Sequence, residues 1–160
     1  MFKVRNRSLN REGMVVNNMI QRIGTIIMLT VGSIWDIRGN KLPASLLMLN
    51  ILAGVILTAV NRDIDWREDW HLYVTGVLIG MLLLLIGRFC GGCIGTADGI
   101  MTAIIGGIIG YQDTLLLLMN AILAAAVFSI LLIVIKKARR GTVIPFIPFM
   151  LLGYLTILIL

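Results

Sequence analysis

The sequence predicts an all-α polytopic membrane protein with about six transmembrane helices, and three observations carry that expectation. Of 160 residues, 59% are hydrophobic and 14% charged, with a mean hydropathy of +0.98. A soluble domain carries about a quarter of its residues charged, so a soluble fold with a large buried core fits poorly. The apolar residues form long uncharged runs with the charges between them. About 20 apolar residues in a helix cross a bilayer. The runs are also continuous, without the alternation of a membrane β-barrel.

Taken in order, the first run is 23–35, extended to Met19 if Arg22 snorkels to the interface. Residues 1–18 read as a basic N-terminal tail and 19–160 as a single transmembrane domain. The tail resembles the n-region of a signal peptide, but no small-residue cleavage site follows the apolar run, so the first span is expected to be retained. The second run is 46–60, and a polar stretch at 61–71 separates it from the third at 72–89. A glycine-rich crossing at 90–98 leads to a short fourth run at 100–109, with Tyr111, Gln112 and Asp113 expected to break it. The fifth run is 115–135 and the sixth 142–160. Trp66, Trp70 and Tyr73 fit an interfacial aromatic belt.

The net charge of +6 sits at helix ends and in short loops. There it reads as a topology signal and as lipid headgroup contact, and no basic stripe suggests nucleic acid. Six spans put Arg38, Lys41, Arg88, Lys136, Lys137, Arg139 and Arg140 on one side, which is expected to be cytoplasmic. The tail disagrees. Lys3, Arg5, Arg7, Arg11 and Arg22 join Arg62 and Arg67 opposite, giving seven on each side. A start at Met14 or Met19 removes most of the conflict.

Cys90 and Cys93 form one C-x-x-C, and the single histidine is His71. Zinc takes four ligands, and neither a second pair nor a βαβ context for a redox motif is present. Two reduced thiols are expected, with no metal and no cofactor.

Two acids are out of place. Asp36 follows directly on the first apolar run and Asp98 lies in the fourth crossing. A carboxylate there costs several kcal/mol unless hydrated, paired or neutralised, which makes both functional candidates. The structural alternatives are an interfacial pairing of Asp36 with Arg38 or Lys41, and a helix N-cap at Asp98. Around Asp98, Gly91, Gly95, Gly99, Ala103 and Gly107 recur every four residues. On a helix they form a small-residue stripe for close approach of a neighbour. Two converging carboxylates do not both ionise cheaply, so one retains a proton and the pair serves as base and acid on a water.

Three segments resemble the type IV prepilin peptidases, within the GxGD group of membrane aspartic proteases. DIRGNKLPASL at 36–46 is similar to the first aspartate motif through Asp36, Arg38, Leu42 and Pro43, with Ala44 in place of the usual Asn. GTADGIMTAIIGG at 95–107 resembles the motif that names the group through Gly95 and Asp98. Ala97 replaces its second glycine and Ile100 a common lysine. IPFIPFMLLGYL at 144–155, with Pro145 and Pro148, is similar to the proline–phenylalanine segment of the last span, with Ile147 for a frequent glycine.

The resemblance implies Asp36 and Asp98 as the catalytic pair, with Arg38, Pro43, Gly95, Ala97, Pro145 and Pro148 in support. It implies a cytoplasm-facing endopeptidase that removes the short basic leader of prepilin- or pseudopilin-like precursors, after a glycine at the membrane boundary. Pili, a secretion pseudopilus and an adhesion system are all open as its setting. The short 61–71 link lacks cysteines, which implies the minimal, peptidase-only form. Two other readings stay open: a small proton- or cation-coupled transporter component, and an inactive homologue acting as an assembly scaffold.

Overall fold

Six helices account for nearly all of the computed structural model, which describes residues 2–38, 42–60, 69–91, 95–135 and 144–159. They are α1 (Phe2–Ile37), α2 (Ala44–Val60), α3 (Trp70–Phe89), α4 (Thr96–Ile109), α5 (Tyr111–Val134) and α6 (Ile147–Ile159). No strand occurs among the described residues. The all-α expectation holds. The basic N-terminal segment is helical from Phe2 and runs on into the first apolar run as part of α1.

Local chemistry sets the boundaries. Pro43 precedes α2, and its carbonyl accepts the N–H groups of Leu46 (2.9 Å) and Leu47 (3.2 Å). The α4–α5 break lies at Gly110 rather than at Tyr111, Gln112 and Asp113, which open α5. Gly110 has φ 82°, a region that glycine enters without steric cost. The Gly110 carbonyl then accepts both the N–H (3.2 Å) and the hydroxyl (2.6 Å) of Thr114. Pro148 is the second residue of α6, where the missing N–H costs the helix nothing.

By length and composition α3 and α5 are able to cross a membrane, whereas α2, α4 and α6 are shorter apolar helices. Only 17% of the most apolar stretch of α3, and 17% of that of α5, is buried within the protein. Apolar side chains such as Val127 (66% exposed) and Ile133 (65%) face outward. Water is a poor solvent for such a surface and lipid a good one.

The most extensive pairing is α3 with α4, followed by α5 with α6, α1 with α6 and α2 with α4. A Cβ on Gly76 or Gly106 would run into the other residue's backbone, and one on Gly80 into the Ala103 backbone. The α3 and α4 backbones therefore touch along this seam. At the α5–α6 contact, a Cβ on Gly153 would lie 2.6 Å from the Leu117 carbonyl oxygen. The buried core joins Leu29 of α1, Met101 and Ile105 of α4, Leu117 and Ala121 of α5, and Ile147, Met150 and Tyr154 of α6.

Candidate active site

Three helix ends meet at one end of the bundle: the C-terminus of α1 and the N-termini of α4 and α6. Asp36 lies in the last turn of α1. The main-chain N–H of Ile147, the first residue of α6, donates to Asp36 Oδ2 at 3.2 Å. The Phe146 N–H is also directed at this carboxylate. Asp36 is thus faced by main-chain donors, and the side chain of Arg38, one of its alternative partners, is exposed. Lys41 lies outside the described residues.

Asp98 is the third residue of α4. The helix N-cap is Gly95, not Asp98, and its carbonyl accepts the N–H groups of Asp98 (3.1 Å) and Gly99 (3.3 Å). The Asp98 carboxylate reaches back to the Gly95 N–H. An acid at this third position satisfies a donor that no helix carbonyl can serve. A Cβ on Gly95 would lie 2.7 Å from Asp98 Oδ2. Gly95 has extended φ and ψ (−63°, 135°), open to any residue, so space and not backbone conformation keeps this position small. The next turn is closed by Thr102, whose hydroxyl donates to the Asp98 carbonyl at 2.8 Å.

The two carboxyl groups lie near enough for the charge of Asp36 to act on Asp98. The floor beneath them is apolar. Gly32 sits one turn below Asp36, and a Cβ there would lie 3.3 Å from Ile147 Cγ2 and 3.5 Å from Met101 Cε. Met101 and Ile147 are both fully buried. Leu84 of α3 packs over Gly99, and α3 runs on to Phe89. Asp98 is thus recessed by about one helical turn, roughly 5 Å, from the end of its neighbour.

A model of the type IV leader peptidase family matches residues 23–130. The chain belongs to this family. The matched stretch contains the segments around Asp36 and Asp98 and stops before the proline–phenylalanine segment at 144–155. No curated protein and no solved structure gives a significant match. Family membership makes the chain a leader-peptidase-like protease, and its two long apolar helices suit a protease of the membrane.

Of the residues singled out in the sequence, Gly95 lies against Asp98, and Asp36 is near enough for its charge to act on Asp98. Ala97 is half-buried in the first turn of α4, and Pro43 is half-buried before α2. Pro145 and Pro148 flank the Phe146 and Ile147 donors. Cys90 is exposed at the C-terminal cap of α3, and Cys93 lies outside the described residues. Sequence reading missed Gly32, Met101 and the Ile147 main chain. The prolines on either side were the signal for Ile147: they leave few free N–H groups, and those at a helix start have no helical acceptor. It also missed Gly76 and Gly80, the α3 half of the seam, although their four-residue spacing was visible.

Proposed function

We propose that this protein is an aspartic endopeptidase of the cytoplasmic membrane, which removes the short basic leader from prepilin- or pseudopilin-like precursors. Asp36 and Asp98 are its catalytic pair. One observation carries the reading: two carboxyl groups from distant parts of the chain, each served by main-chain donors, lie within electrostatic reach at one end of an apolar bundle. Isolated acids in such surroundings are costly, and a pair sharing one proton reduces that cost.

The chemistry follows from the shared proton. The ionised carboxylate takes a proton from a water as its oxygen bonds to the scissile carbonyl carbon. The protonated partner donates to the carbonyl oxygen, giving a neutral tetrahedral intermediate. Collapse breaks the C–N bond, the proton passes to the leaving amine, and the pair returns to its starting state. The apolar floor of Gly32, Met101 and Ile147 excludes water from below. A substrate therefore enters from the membrane boundary, where a basic leader meets an apolar helix.

In this reading all six helices cross the bilayer, and 36–43, 88–98 and 136–141 face the cytoplasm. The short helices α4 and α6, of 14 and 13 residues, then begin below the membrane surface with the aspartates at their starts. The test is co-expression with a precursor carrying a basic leader, a junction glycine and one apolar helix, read by mass. Leader loss with the parent chain, and an intact precursor with Asp36→Asn or Asp98→Asn, is the expected result. Cleavage by either variant removes that residue from the mechanism.

A further inference from the structure

Asp36 lies in the last turn of α1, where its carboxyl group is within reach of other segments. Two main-chain donors from far along the chain face it, the Phe146 N–H and, 111 residues away at 3.2 Å, the Ile147 N–H. That N–H takes no part in α6 itself. The first α6 bonds run from the Phe149 N–H (3.0 Å) and the Met150 N–H (3.2 Å) to the Phe146 carbonyl. The residue after Ile147 is a proline with no N–H to offer. The Ile147 side chain is fully buried and packs toward Gly32, one turn below Asp36. One residue thus grips α1 twice, by its main chain at the carboxylate and by its side chain below it.

We infer that Ile147 is a positioning residue, whose main-chain N–H turns the Asp36 carboxyl group toward Asp98. The role rests on the protease reading above. It assigns the α6 start a task in catalysis that its side chains do not reveal, because the acting group belongs to the backbone.

Proline makes the role separable from packing. Ile147 is the first helical residue, the position that accepts proline most readily, and no helical hydrogen bond is lost there. Ile147→Ala removes the side chain and keeps the N–H, whereas Ile147→Pro removes both. With a synthetic precursor peptide carrying a basic leader, a glycine and an apolar helix, the proline variant is expected to fall about 10- to 100-fold below the alanine variant in kcat, since displacements near 1 Å carry costs of that order. KM should be the same in the two, and Ile147→Val should restore the parent rate. Independently of cleavage, the Ile147 amide should exchange its hydrogen faster in Asp36→Ala than in the parent, and unchanged in Asp98→Ala. Equal kcat for the proline and alanine variants, or an Ile147 amide indifferent to Asp36→Ala, overturns the assignment. If the proline variant does not accumulate, the exchange measurement decides alone. Asp36→Asn and Asp98→Asn in the same assay keep the two questions apart: cleavage by either strikes the protease reading, while the exchange result stands without it.

Discussion

The first turn of α4 and the remainder of the same helix are built on opposite principles. At Gly95–Asp98 the contacts are few, polar and directional: one carboxylate, the N–H it reaches back to, and the influence of a second carboxylate from α1. From Gly99 to Gly106 the contacts are many and apolar, and at Gly76–Gly106 and Gly80–Ala103 they join backbone to backbone. A glycine appears in both places for unlike reasons. Gly95 leaves room for the Asp98 carboxylate, and Gly106 leaves room for another helix. Exchanges in the first turn should therefore alter rate and spare the fold, while exchanges in the seam should alter the fold first.

The largest expected effect lies at the aspartates. Asp36→Asn and Asp98→Asn keep size and polarity but remove one half of the proposed acid–base pair, a contribution of about 10²- to 10⁴-fold in rate. Initial rates of leader loss, on membranes with matched protein levels, measure it. Both variants should insert like the parent. A large loss of inserted protein in either would erase the contrast between the two halves of α4.

Gly95→Leu comes next. The first atom of the new side chain would already press on Asp98 Oδ2, 2.7 Å away, so the carboxyl group must move. Displacements near 1 Å cost on the order of 100-fold in rate. The same assay should show that loss with normal insertion, and an active enzyme would mean that Asp98 does not act from this position.

The seam should respond in the other way. Gly106→Ala sets a methyl group against the Gly76 backbone, which has no side chain that can yield. Overpacking of this kind costs about 1–3 kcal/mol. Thermal unfolding in detergent should show a lowered midpoint, with the residual folded protein cleaving at close to the parent rate per molecule. A rate defect without a stability defect would show that seam and site are not separate.

The smallest effects sharpen the comparison. Ala97→Gly restores the residue usual in the resembling motif and removes one methyl group, so cleavage should be retained or raised. Cys90→Ser with Cys93→Ser should cleave within a few fold of the parent, because the sequence offers neither a second C-x-x-C nor a nearby histidine to complete a zinc site. Inactivation of that double variant, or stoichiometric zinc in the purified protein, would overturn the thiol reading.

Much of this was legible in the order of residues. The apolar runs fixed the helical class, since a chain so rich in continuous hydrophobic stretches has its backbone bonded within each segment. Asp36 and Asp98 stood out because carboxylates are rare in such surroundings. The four-residue spacing put Gly95 in a stripe facing another helix, whereas it lies just before α4 and leaves space for Asp98 Oδ2. Helix ends were less legible. The α4–α5 break fell at Gly110, where φ is 82°, and polar Tyr111, Gln112 and Asp113 proved compatible with the opening turn of a helix.

What the tertiary structure alone decided concerns partners. The stripe on α4 announced a close neighbour without naming it, and only packing shows that Gly76 and Gly80 of α3 complete it. Asp98 as a helix cap was a reasonable reading of its neighbours, but the helix begins at Thr96 and places the acid third in its first turn, reaching back to Gly95. The donor that holds Asp36 was harder to read. It is a main-chain N–H, and every residue but proline has one, so Pro145 and Pro148 narrow the choice to Phe146 and Ile147 without showing which acid they reach. The sequence by itself determined which residues are too costly to leave in lipid without a purpose. The fold determined which helix ends surround them, because a hydrogen bond depends on distance and direction across 111 residues of chain, and composition encodes neither.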